Sequence, residues 1–383
     1  MTFVPMTPPP IPLPPAKVAF TGDRGEFRRL VTRGALLELV TVGFYRFWLA
    51  TDMRRHLWSH TVVDGDGAEY TGRGKELLIG FLIAMAIIVP VYLAYFIAGL
   101  EAERIQAFAS FPLIAFLYVF GQFAIYRARR YRLTRTVWRG VRFRMSGSGW
   151  GYAARAAGWG LLMSLTLGLI LPWRDAALER YKMRHSYYGD LRGSFDGTGA
   201  EFFKRGWWLW LLTPVCIFLP PLAPFVYAAF KAVQWRWWLS GIRFGGVRLQ
   251  STLRRGELIG LYWKAIGWFV LLLAGFAAYE TFSLFLLASM SGASIEDYLR
   301  QFAEARDVLS SLPMMVLTGA GYLTLALGLN VVLRVYLMRD LWARVAATTS
   351  VHGVEALANV AAKGEMANAL GEGFADGLDV AGF

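Results

Sequence analysis

A single cysteine, Cys216, stands in a chain of 383 residues, so no intramolecular disulfide and no thiolate metal cluster can hold the fold together. Histidine is scarce too, with four in all and no His-Glu-x-x-His pair, which leaves little material for a zinc centre. Neither a Gly-x-Ser-x-Gly elbow nor a Ser/His/Asp set supports hydrolase chemistry. Charge is thin: 17% of the residues are Asp, Glu, Lys or Arg against 56% hydrophobic, and the mean hydropathy is +0.40. No soluble surface can be built from that balance.

The amino terminus, Met1 to Pro15, has no basic stretch ahead of an apolar one and a proline run from Pro8 to Pro15. It reads as a disordered polyproline-type tail rather than a signal peptide, and insertion is expected to begin at an internal apolar segment.

What the chain has in quantity is apolar sequence, blocked into segments at 34–49, 77–100, 108–126, 156–173, 207–230, 259–288 and 313–333. About 20 apolar residues are what a helix needs to cross ~30 Å of hydrocarbon. The net charge is +13, but the basic residues sit directly beside these segments, where they can meet lipid phosphate. The expected partners are therefore the bilayer and its anionic phospholipid headgroups, not nucleic acid.

The connections differ sharply in charge. Residues 101–107 and 291–312 carry one and two basic residues and several acids, whereas 127–155, 174–206 and 231–258 carry nine, seven and six basic residues. If 34–49, 156–173 and 207–230 dip in and return, 36 basic residues lie on one side and three on the other; if all seven cross, the split is 24 to 15. The positive-inside rule favours the first arrangement, with 101–107 and 291–312 outside and the C-terminus cytoplasmic. Glu38 and Arg46 in the first of these segments, and Pro214, Pro220, Pro221 and Pro224 in the third, favour it as well.

An internal repeat is the most specific feature. Residues 16–80 laid over 141–205 without a gap give eleven identities in 65 positions. They pair Gly22 with Gly147, and Thr41, Gly43 and Trp48 with Thr166, Gly168 and Trp173. Arg55 pairs with Arg180, His60 with His185, and Gly72, Gly74 and Glu76 with Gly197, Gly199 and Glu201. A third, degenerate copy is read from Gly241-Ile242-Arg243-Phe244, which echoes Gly140-Val141-Arg142-Phe143, and resumes at 329–353. The expected fold is an all-α polytopic membrane protein with small cytoplasmic β-hairpins, built from tandem repeated membrane modules. Its divisions are a tail at 1–17, membrane repeats at 18–126, 127–238 and 239–353, and a cytoplasmic tail at 354–383.

The blocks Phe20-Thr-Gly, Thr41-Val-Gly-Phe-Tyr-Arg-Phe-Trp48, Met53-Arg-Arg-His-Leu-Trp58 and Thr166-Leu-Gly-Leu-Ile-Leu-Pro-Trp173 resemble the T-L-G-x-x-x-P-W pattern of the YjgN family, bacterial inner-membrane proteins without an established activity. The similarity runs from about residue 18 to the C-terminus and includes Gly371 to Asp379. Arg46-Phe47 departs from the pattern, where Leu-Pro would precede the tryptophan. The resemblance implies an inner-membrane protein with repeats, and carries no catalytic residues.

Candidate sites rest on residue chemistry alone. Glu38, Glu280 and Asn330 are polar groups within apolar segments, where each costs energy unless paired or hydrated, and are candidates for a substrate or ion pathway. His60 and His185 share a repeat position and could meet as a metal or proton site, or be ordinary interfacial histidines. Arg236 and Arg243 with Trp237 and Trp238 could grip lipid headgroups, or form an aromatic belt. The Gly-rich stretches around Gly72, Gly147 and Gly197 lack the Lys-Ser/Thr of a phosphate loop and read as turns, and Asp64-Gly-Asp66-Gly as a hairpin turn. No cofactor, metal or catalytic group is assigned. The function expected is movement or accommodation of a small or lipidic substrate; the alternative is a membrane-anchored scaffold binding anionic lipid and cytoplasmic partners.

Overall fold

A computed structural model describes residues 14–101, 106–292, 294–304, 308–358 and 360–363. The proline-rich stretch 1–13 and most of the C-terminal tail lie outside the described residues, as do parts of the two acidic connections. The described chain is mostly helical, but its organising element is a closed antiparallel barrel of ten strands of three to five residues.

Five units build it, each a strand, a helical excursion and a returning strand. The first is β1 (Ala16–Phe20), α1 (Arg24–Val40), α2 (Arg46–Ser59) and β2 (Thr61–Val63). The second is β3 (Asp66–Tyr70), α3 (Gly74–Glu101), α4 (Gln106–Thr134) and β4 (Thr136–Trp138). The third is β5 (Val141–Met145), α5 (Gly149–Leu165), α6 (Leu171–Arg184) and β6 (Ser186–Tyr188). The fourth is β7 (Leu191–Phe195), α7 (Gly199–Leu212), the short α8 (Val215–Phe218), α9 (Ala223–Gly241) and β8 (Ile242–Phe244). The fifth is β9 (Val247–Ser251), α10 (Arg255–Ser291), α11 (Ile295–Glu304) and α12 (Val308–Val331). It continues through a π-helix (Val332–Arg339) and α13 (Asp340–Ala347) to β10 (Thr349–His352).

Strands pair in chain order, and β10 closes on β1 with Ala16 opposite Val351 and Lys17 opposite Ser350. Two-residue turns join successive units; Asp64-Gly65 and Arg139-Gly140 take positive φ at both positions, the twist that suits a tight hairpin. The hairpins anticipated as small separate features are thus one barrel, because each short strand finds its second partner in the neighbouring unit. Closure leaves no unpaired edge. Val18, Trp138, Tyr188, Val247 and Val351 bury their side chains together inside, with Val354 beneath them, so the barrel is a packed core and not a pore.

The spacing of 125 residues corresponds to two units, since β5 follows β1 and β7 follows β3 at that offset. The echo at Gly241–Phe244 is out of register. Ile242–Phe244 closes the fourth unit, and the counterpart of Val141–Met145 is Val247–Ser251. Ile242–Phe244 and the start of Val141–Met145 share a Gly-x-Arg-Phe pattern, which sequence alone does not separate.

Each unit leaves its five-residue strand through a three-residue corner, and in the first four units the middle residue is glycine (Gly22, Gly72, Gly147, Gly197). Phe20, Tyr70 and Phe195 fold their rings over the glycine two residues on, and a Cβ there would stand 2.6–2.7 Å from the ring. The Thr-x-Gly segments end α1 and α5. Thr41 caps its helix, Gly43 N–H reaches Glu38 O at 2.6 Å, and Gly168 N–H reaches Met163 O at 2.9 Å, a Schellman stop in both copies.

Among the described residues, four helical runs, in α3, α4, α10 and 312–347, are long and apolar enough to cross a membrane. The other three excursions double back, since both ends of each belong to paired strands of one barrel. Their tips are apolar and exposed: Val40 and Val42, Leu165 and Leu167, Ile217 and Phe218. Leu167 is 93% exposed. Pro220 and Pro221 form a short 3-10 turn at the bend of the third, because proline cannot continue the helix before it.

Candidate functional site

A cavity of about 430 Å³ lies between the helices that rise from the barrel. α4 contributes Gln122 and Arg129, α6 contributes Arg174, Asp175, Glu179 and Lys182, and α9 contributes Lys231, Gln234 and Trp238. Tyr262 and the π-helix residues Leu333, Leu337 and Met338 complete much of the wall. These residues lie roughly 5–20 Å along their helices from the barrel strands, at 1.5 Å per residue. The layer is therefore the one between the barrel and the apolar tips.

α6 sets the electrostatics. Asp175, Glu179 and Lys182 recur at i, i+4 and i+7, so they share one helix face. Glu179 accepts from Arg129 at 3.0 Å and is ion-paired with Lys182. Burial disfavours its charge, but the Lys182 ammonium and the Arg129 guanidinium outweigh burial and hold its pKa down at about 2. Asp175 goes the other way. Burial raises its pKa, Glu179 adds to this, and Arg174 at 3.4 Å with Lys182 offsets only part. Gln234 donates to Asp175 at 3.2 Å and accepts from Lys231 at 3.1 Å. Arg129 also lies over the Trp238 ring, 5.9 Å from its centroid.

Four cations (Arg129, Arg174, Lys182, Lys231) thus face two acids, one of which is biased towards its neutral form. Arg174 Nε is buried and has no hydrogen-bond partner. A partly buried excess of positive charge is costly unless an anion neutralises it. The π-helix widens the wall opposite; such segments interrupt regular helices frequently at functional sites.

The residues nominated from sequence fall elsewhere for the most part. Glu38 meets Arg334 at 3.0 Å and Asn330 at 3.4 Å, so two of the three pathway candidates are brought together, across units one and five. Glu280 accepts from Thr318 at 3.1 Å between α10 and α12, with its other oxygen buried and partnerless. His60 and His185 occupy equivalent C-caps and bond the carbonyls of His56 and Tyr181 at 2.8 and 2.7 Å. They are not brought together, because β2 and β6 stand four strands apart around the barrel. Arg236 is exposed and Arg243 pairs with Asp196 at 3.0 Å. Trp237 is core, stacked on Phe202 and bonded to Thr198 O, and both it and Trp238 line the cavity. Arg129, Arg174, Asp175, Glu179, Lys182, Lys231 and Gln234 had passed as parts of basic connections. The signal was the i, i+4, i+7 stripe on α6, whose counterparts at 50, 54 and 57 are Ala, Arg and Leu.

No curated protein and no solved structure matches this chain. A family model does, over residues 15–222 and 209–377, two segments that together take in all five units. The chain belongs to that family, bacterial proteins of unknown function (DUF898).

Proposed function

We propose that this protein is a multi-pass protein of the bacterial inner membrane, with its barrel in the cytoplasm, that accommodates or moves a small anionic amphiphile through the cavity beside α6. The observation that carries this reading is the excess of partly buried cations around Glu179, including the partnerless Arg174 Nε. Phosphate or carboxylate oxygens would satisfy it, and guanidinium groups suit both. The volume falls in the range of small-molecule sites, and Ile125, Leu178, Leu337 and Leu341 offer apolar wall for a short tail. The cytoplasmic assignment rests on the crowding of basic residues on the connections nearest the barrel.

Native mass spectrometry of the protein extracted in mild detergent tests the proposal. The wild type should retain an anionic lipid or metabolite, and Arg174→Gln/Lys231→Gln should retain at least tenfold less while keeping its circular dichroism spectrum. Flux of the retained species in proteoliposomes then separates movement from storage. No anionic species in the wild type, or equal retention by the variant, overturns it.

A further inference from the structure

A second site lies outside the cavity, on the first unit. His56 and His60 sit one helical turn apart at the end of α2, and Glu26 stands in the first turn of α1. One ligand atom from each lies within 4.8 Å of the other two. The imidazole rings are 4.2 Å apart between centroids. Two histidines at i and i+4 present their rings on one helix face, a spacing that suits a shared metal ion.

His56 is 7% exposed, and its Nε2 is buried with no hydrogen-bond partner. A buried imidazole nitrogen without a partner is costly unless something is bound to it. Gly22 packs close against that nitrogen: a Cβ there would stand 3.0 Å from it, so a side chain at position 22 would crowd it. His60 Nδ1 lies 2.8 Å from the His56 carbonyl oxygen, which can only accept. The proton is therefore on Nδ1 and the lone pair on Nε2, the tautomer and carbonyl support that metal-binding histidines use. All three residues line a cleft of about 960 Å³ that gives access from solvent.

We propose that Glu26, His56 and His60 form a binding site for a divalent transition-metal ion of the zinc type, with water from the cleft in the fourth position. Three ligands at about 2.0–2.2 Å from an ion bring their donor atoms closer together than 4.8 Å, so side-chain rotation at exposed Glu26 completes the site. His185, the repeat equivalent of His60, has Tyr181 where His56 would stand, so the third unit has no such pair. The site is a property of the first unit, independent of the anion cavity.

The test uses the full chain in detergent, stripped with chelator and then titrated with Zn²⁺, and with Co²⁺ as the spectroscopic probe. Wild type should bind one equivalent of zinc, give the visible absorption of four-coordinate cobalt, and unfold at higher temperature with zinc. Glu26→Gln, an exposed change that leaves α1 intact, should weaken binding at least tenfold, and His56→Ala should abolish it. His185→Ala should bind as wild type. No zinc or cobalt bound by the folded wild type, or undiminished binding by both Glu26→Gln and His56→Ala, overturns the proposal.

Discussion

Glu38 and Arg334 are 296 positions apart in the chain, and their side chains meet at 3.0 Å where the tip of the first helical hairpin leans on the π-helix. The pair is largely screened from solvent, with 14% and 22% of the side chains exposed, and Arg334 Nη1 is already buried without a partner. Removing the acid therefore strands a charge. Glu38→Gln should cost about 3 kcal/mol, while Glu38→Leu/Arg334→Leu should recover most of that loss. Thermal unfolding of both variants in the same detergent decides it. A Glu38→Gln protein as stable as wild type would show that the ion pair contributes nothing.

The first glycines of α3 and α7 should be intolerant of even one methyl group. A Cβ at Gly74 would stand 2.8 Å from Trp48 Cα, and one at Gly199 would stand 2.7 Å from Trp173 Cα, so backbone meets backbone at the same joint in both places. Gly199→Ala is predicted to destabilise by about 1–3 kcal/mol. Gly260→Ala, where nothing lies within 4 Å, should not destabilise and serves as the control. Equal unfolding midpoints for the two would refute the joint.

Acid should act on the cavity through Glu179. Its folded pKa, about 2, is below the ordinary 4.5, so its ionised form supports the fold above pH 4.5, and that support is lost as pH falls from there towards 2. Asp175 is raised, so its contribution has the opposite sign: present below its ordinary 3.8 and lost as pH rises through the raised value. Glu179→Gln should flatten the acid limb of the stability curve. Asp175→Asn should hold or raise stability at neutral pH, because its amide oxygen can still accept from Gln234. Chemical denaturation followed from about pH 3 to 8 measures both; a steep acid limb in Glu179→Gln would sink the assignment.

How much of this was legible beforehand depended on which interactions were local. The apolar lengths of α3, α4 and α10 and the Thr-x-Gly stops are properties of short stretches, and the sequence carries them openly. The repeat identities also have local causes: Gly22 and Gly147 turn the strand-to-helix corner, and Gly74 and Gly199 seat Trp48 and Trp173. The barrel was not legible, because three-residue strands such as Thr136–Trp138 carry too little alternation to announce their partners. Nor was the cavity, whose walls come from α4, α6, α9 and the π-helix and whose charges read one by one as ordinary loop cations.

Sidedness is testable with single cysteines in a Cys216→Ala background. Asp64 and Asp190 sit at turns of the same barrel rim, and Ser294 follows α10 at its far end. Cysteines at 64 and 190 should react from one face of the membrane and a cysteine at 294 from the other. An impermeant maleimide added to intact and to opened spheroplasts gives the readout. Labelling of 190 and 294 from the same face would require α10 not to cross.

The closing pair of strands has a consequence for how the molecule is made. β1 leaves the ribosome before the helices of all five units and its partner β10 after them, so Ala16 and Lys17 wait for Val351 and Ser350 through the synthesis of every helix between them. During translation the growing sheet always has two sticky margins, and only the arrival of β10 removes them. The N-terminal strand is therefore a latch left open until the end, and a nascent chain stalled before Thr349 would present that latch to any extended peptide nearby.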